Sequence, residues 1–88
     1  MRVIPKDKVI FSFNAEHPCQ YSVEDGETFW VETDDCYSGQ ITDASVKRPD
    51  IDITIMDCSV GPIEVRGAKP GDTLCVEILA IELGRQGV

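Results

Sequence analysis

Thr73-Leu74-Cys75-Val76-Glu77-Ile78-Leu79-Ala80-Ile81-Glu82-Leu83, entered through the turn pair Pro70-Gly71, is the stretch on which the expected fold turns. Side chains alternate between the two sides of an extended strand. Leu74, Val76, Ile78 and Ala80 therefore share one face, and Cys75, Glu77, Leu79 and Ile81 share the other. Both faces are largely apolar, so this strand needs cover on both sides. A chain of 88 residues has little material to supply that cover, and a partner surface is implied.

Further strand signals lie upstream. Ile63-Glu64-Val65 follows Gly61-Pro62, and Ile51, Ile53 and Ile55 alternate with Asp52 and Thr54. Val9-Ile10-Phe11-Ser12-Phe13 is a β-branched and aromatic run that stops at Asn14. Tyr21 and Val23 lead into Asp25-Gly26, and Thr28-Phe29-Trp30-Val31-Glu32-Thr33 follows, which predicts a hairpin. No useful length of helical period occurs. The expected fold is all-β, an antiparallel β-sandwich or partly open barrel of about six strands, in a single domain over residues 1–88. A long polar loop is expected over roughly residues 34–50, where apolar anchors are few. There is also an internal echo. Gly26-Glu27-Thr28-Phe29-Trp30-Val31-Glu32 and Gly71-Asp72-Thr73-Leu74-Cys75-Val76-Glu77 match position by position, each a turn glycine followed by the start of a strand.

Composition narrows the function classes. Sixteen acidic against eight basic side chains give a net charge of −8, which repels nucleic acid and anionic membrane surfaces. No stretch approaches the ~20 apolar residues of a membrane helix, and the start has no apolar signal core, so a cytoplasmic location is expected. Cys19, Cys36, Cys58 and Cys75 lack the close pairing of a zinc or redox motif. A reduced state is expected, with Cys36 and Cys75 acting as small hydrophobes.

Chemistry is sparse. His17 is the only histidine, so a serine or cysteine triad could form only around it, and the histidine pair of a blue-copper centre is missing. Phosphate-binding glycine loops are absent, and no cofactor-binding residue is identified. The densest stretch is Asp34-Asp35-Cys36-Tyr37-Ser38-Gly39-Gln40, which reads as either a solvated acidic turn or a source of catalytic carboxylate. Asp57 stands in a loop leading into a strand, and Asp72 is expected to cap the Pro70-Gly71 turn. Asp34, Asp35, Asp43, Asp50 and Asp52 are hard oxygen donors of the kind calcium takes, although no EF-hand loop is present.

Two segments carry a resemblance: Val31-Glu32-Thr33-Asp34-Asp35-Cys36 through Gly39-Gln40-Ile41, and Gly61-Pro62-Ile63-Glu64-Val65-Arg66-Gly67-Ala68-Lys69-Pro70-Gly71-Asp72-Thr73-Leu74. Together they resemble the N-terminal part of the acetamidase/formamidase family, and Val3-Ile4-Pro5 and Val9 to Phe13 are similar to its starts. Where members commonly have Asn-Pro ahead of Gly-Pro, this sequence has Asp57-Cys58. The resemblance implies a β-rich amidohydrolase that cleaves formamide and acetamide to a carboxylate and ammonia. It covers only the opening third of much longer members, whose histidine-rich segments lie beyond it.

Two functional expectations follow. In one, the chain is an amidase segment, inactive alone, that contributes Asp35 and Asp57 as catalytic acids to a site completed elsewhere. The metal ligands are unassigned; a divalent metal in the full-length member would polarise the amide carbonyl while an acid protonates the departing ammonia. In the other, it is a non-catalytic β module that forms a homo-oligomer or pairs with a longer subunit through its uncovered strand.

Overall fold

The computed structural model describes residues 1–85. Among these residues six short strands form: β1 (Arg2–Ile4), β2 (Val9–Ile10), β3 (Tyr21–Val23), β4 (Phe29–Val31), β5 (Ser59–Val60) and β6 (Ile63–Val65). They pair as three two-stranded sheets, β1 with β4, β2 with β5 and β3 with β6, without closing into a barrel. Among the described residues there is no α-helix, only single 3-10 turns at Arg48–Asp50 and Ile53–Ile55. None is long and apolar enough to cross a membrane. The all-β class is therefore observed, and no strand interrupts the polar stretch between Val31 and Ser59.

Strand direction departs from expectation. β1 and β4 run parallel in the register Arg2↔Phe29 to Ile4↔Val31, as do β3 and β6 from Tyr21↔Ile63 to Val23↔Val65. Only β2 and β5 are antiparallel. The expected hairpin is thus replaced by a split. The Asp25-Gly26 turn does form, with Glu27 N donating to Glu24 O at 3.1 Å, but it passes the chain from the β3–β6 ladder to the β1–β4 ladder. Alternating hydrophobicity carries no information on direction, and long crossovers permit parallel pairs.

The strand expected over Ile51–Ile55 is a 3-10 turn instead. Asp52 Oδ1 accepts from Thr54 N at 2.9 Å and from its hydroxyl at 2.6 Å, and this local bonding outcompetes extension. The run from Val9 to Phe13 keeps only its first two residues as strand, leaving Phe13 85% exposed. Thr73 to Leu83, expected as the longest strand, forms no strand and is exposed throughout. Strands are made by neighbours, and this segment has none among the described residues. The count of six still holds, because β1 and β5 form where no strand was expected.

The core is small. Ile4 on β1 and Val23 on β3 are its buried apolar side chains, at 0% and 3% exposure. Both mark ladder ends that extend by one bond, Glu32 N to Ile4 O and Arg66 N to Val23 O, each 2.9 Å. Across β3–β6, the partners Ser22 and Glu64 join through Oγ and Oε2 at 2.8 Å. Pro62 O accepts from both Gln20 N and Tyr21 N, which anchors the start of that ladder. The accessible surface is 7210 Å², against about 5,100 Å² for a self-contained 9.7 kDa protein. The radius of gyration is 15.4 Å, where about 12 Å is usual for this length.

Candidate functional site

Two irregular loops, residues 34–40 and 52–58, lie against each other, and they hold both carboxylates singled out from the sequence. Asp35 organises the first. Its Oδ1 accepts from Tyr37 N at 2.7 Å and Gly39 N at 3.4 Å, and its carbonyl accepts from Ser38 N at 3.0 Å. Ser38 takes a left-handed φ of 55° within this turn, a conformation that non-glycine residues adopt only when the surroundings support it. The support comes from the second loop, where Ile55 O accepts a bond from Ser38 Oγ.

Three further contacts lock the loops together. The Gln40 side-chain amide brackets the backbone of Asp52, donating to its carbonyl at 3.1 Å and accepting from its N–H at 2.7 Å. Asp57 N donates to Cys36 O at 2.6 Å, and Cys58 Sγ lies 3.5 Å from Asp35 O. Asp35 and Asp57, distant in sequence, thereby sit in adjacent loops. Their circumstances differ. The Asp35 carboxylate is half-buried and engaged by turn amides, whereas Asp57 is exposed, at φ 59°, and its carboxylate has no partner among the described residues. Aspartate and asparagine tolerate that backbone conformation better than most residues. Aspartate in place of the asparagine of the resembled pattern thus suits the backbone while exchanging an amide donor for an anion.

Nearby acids play local roles. Asp34 pairs with Lys6 Nζ at 3.3 Å in a solvent-exposed contact. Hydrogen bonds from Thr54 hold the Asp52 carboxyl below its usual pKa, and those from Ser45 do the same for Asp43. Asp72 caps its turn as expected, accepting from Lys69 N at 2.8 Å. The hydroxyl of Tyr21 donates to Asp7, which raises its pKa. All four cysteines are free, and Cys36 and Cys75 are exposed rather than packed as small hydrophobes.

The donor set does not fit a metal ion. Among the described residues no three histidine, cysteine or acidic side chains converge, so Asp34, Asp35, Asp43, Asp50 and Asp52 do not form the calcium site considered from their hard oxygen donors.

A second cluster surrounds His17, on an open groove of about 510 Å³ floored by Val9, Ile10 and Pro62. Its Nε2 lies 3.2 Å from both Ser12 Oγ and Asn14 Nδ2. No acid backs Nδ1 among the described residues, so a Ser-His contact exists without the third member of a triad. The Gln40 bracket and this cluster were both missed from the sequence. Asn14, whose Oδ1 accepts from Glu16 N at 2.9 Å, left the available signal, an Asx turn that folds Ser12 back toward His17.

Comparison with known proteins places these loops in context. The model of the Acetamidase/Formamidase family matches residues 6–87. A Schizosaccharomyces pombe protein named as a formamidase is 37% identical over 67 residues, 74% of this chain and 16% of that protein. Acetamidase of Mycolicibacterium smegmatis is 35% identical over 81 residues, 86% and 20% respectively. Formamidase of Methylophilus methylotrophus is 41% identical over 61 residues, 67% and 15%. The matched stretch is thus well under the third of a relative's length expected from the sequence. No solved structure matches the chain.

Proposed function

The chain belongs to the acetamidase/formamidase family, and on that premise we propose that it is a segment of an amidohydrolase acting on short linear amides such as formamide and acetamide. The family match over residues 6–87, nearly the whole chain, is the observation that supports this reading. The segment spans 15–20% of three relatives, so the reacting groups are assigned mostly to sequence outside it. Its own contribution is the loop pair. Asp57, where members commonly have asparagine, is the side chain available to hydrogen-bond a substrate, and Asp35 is a positioning residue that holds the turn against which Asp57 is bonded. In the complete protein, the three ladders are parts of a larger sandwich or partly open barrel.

Ammonia release from formamide and acetamide tests this. The 88-residue chain alone is expected to release none. Grafted into the Mycolicibacterium smegmatis acetamidase in place of the matching 81 residues, it should support turnover. Asp57→Ala in the graft should lower kcat, while Asp57→Asn, which restores the residue that members commonly have, should support turnover. Ammonia release by the isolated chain, or a folded but inactive graft, would defeat the proposal.

A second reading is a non-catalytic β module that self-associates or joins a longer subunit. It draws on the exposed apolar residues from Leu74 to Leu83. A monomer by light scattering at high concentration counts against self-association. The net charge of −8 disfavours nucleic acid as a partner in either reading.

A further inference from the structure

Exposed apolar surface is concentrated in one place. Leu74, Val76, Ile78, Leu79, Ile81 and Leu83 are each 65–88% exposed, on a segment with no strand beside it. A soluble protein rarely leaves such a run bare, since both faces and both backbone edges then face water.

The internal echo indicates what is missing. Gly26 and Gly71, the matching turn glycines, both take left-handed φ values, +81° and +95°. The strands ahead of them, β3 and β6, lie side by side in parallel. After the first glycine, Phe29–Val31 is completed by a parallel neighbour, Arg2–Ile4. After the second, the equivalent residues Leu74, Cys75 and Val76 have none. Between the two units lie two 3-10 turns and the strands β5 and β6, which are already paired with β2 and β3. An open hollow of about 280 Å³ lies beside Leu74, with Ile63, Val65 and Ala68 among its walls and Lys69, Asp72 and Thr73 completing them.

We propose that Thr73–Leu83 accepts a β-strand from the part of a family-length polypeptide that these 88 residues do not span, as Arg2–Ile4 completes Phe29–Val31. The amount of surface favours this occupant. The chain exposes about 2,000 Å² more than a self-contained protein of its mass, which is the per-partner scale of an obligate interface rather than of a transient contact. Relatives hold about four-fifths of their length outside the matched region. A second copy is a poorer match: its Arg2–Ile4 is already engaged by its own β4, and it brings a further charge of −8. The proposal rests on family membership and not on amidase activity, and its readout is structural.

The tagged 88-residue chain is co-expressed with the Mycolicibacterium smegmatis acetamidase lacking its matching 81 residues, and amide hydrogen exchange is followed by mass spectrometry. The two should co-purify, with exchange over residues 73–83 slowed about a hundredfold relative to the chain alone. Val76→Pro, which removes one backbone donor, and Ile78→Asp, which charges one face, should each abolish co-purification. Neither should alter the Trp30 emission of the β1–β4 ladder. Glu77→Gln should bind like the parent. Unchanged exchange over 73–83 in the complex, or full binding by both variants, overturns the proposal. So does a dimer of the chain alone that protects the same amides.

Discussion

Replacing Ile4 with alanine tests where this small fold draws its stability. Ile4 is the fully buried large side chain, and it sits opposite Val31 in the β1–β4 register. Alanine removes three carbons, and at about 0.8 kcal/mol per buried methylene the transfer loss is about 2.4 kcal/mol. The incompletely collapsed cavity brings the total to about 3–4 kcal/mol. Ile4→Val removes one carbon and should cost about 1 kcal/mol. Domains of this length are stable by about 4–13 kcal/mol, and a core of two buried side chains belongs at the low end, so alanine should remove most of the stability. Trp30, paired with Val3 across the same ladder, reports the transition by fluorescence in urea. Ile53→Ala is the control, because Ile53 is 67% exposed and its loss should stay within about 0.5 kcal/mol. The midpoints should fall in the order Ile4→Ala, Ile4→Val, then parent and Ile53→Ala together, at constant denaturant slope. Equal losses for Ile4→Ala and Ile53→Ala would refute the assignment of the core to the β1–β4 ladder.

Asp52 should titrate below 3.8, because the Thr54 hydrogen bonds favour its ionised form. The 3-10 turn at Ile53–Ile55 is therefore held above the ordinary carboxylate range and released as pH falls through the lowered value. A carboxyl NMR titration checks this, and Thr54→Ala should move the midpoint upward. Asp57→Asn should leave stability unchanged, whereas Asp57→Ala should cost about 1 kcal/mol through its left-handed φ, as read from urea midpoints. Gly61→Ala should cost more than about 1 kcal/mol in the same assay, since φ is +135° and the added Cβ would lie 3.1 Å from Ile63 N. Gln40→Ala should speed exchange at the Asp52 amide by removing the acceptor 2.7 Å away, without altering exchange in β3 or β6.

Features set by forces between sequence neighbours were legible, and those set by distant contacts were not. Turns at Asp25-Gly26 and Pro70-Gly71, the cap by Asp72, and strands at Tyr21–Val23, Phe29–Val31 and Ile63–Val65 were legible because neighbours in sequence decide them. Ile51–Ile55 misled because its alternation suits a strand, while Asp52 bonds locally to Thr54 and closes a turn. At the candidate site, the residue types were legible and the pairing was not. Asp35 and Asp57 meet only because the Gln40 bracket and the Asp57 to Cys36 bond join two loops.

By itself, the sequence determined an acidic, β-rich chain with its turns in place, a family signature, and a segment, Thr73–Leu83, too apolar for the surface available to cover it. Those properties follow from side-chain chemistry and period, which need no partner. Only the tertiary structure decided that β1 lies parallel to β4 and β3 to β6, that Ile4 and Val23 are the buried pair, and that Thr73–Leu83 stays bare. Hydrophobic alternation sets which side of a strand is apolar, while its neighbour and direction depend on long-range closure of the chain.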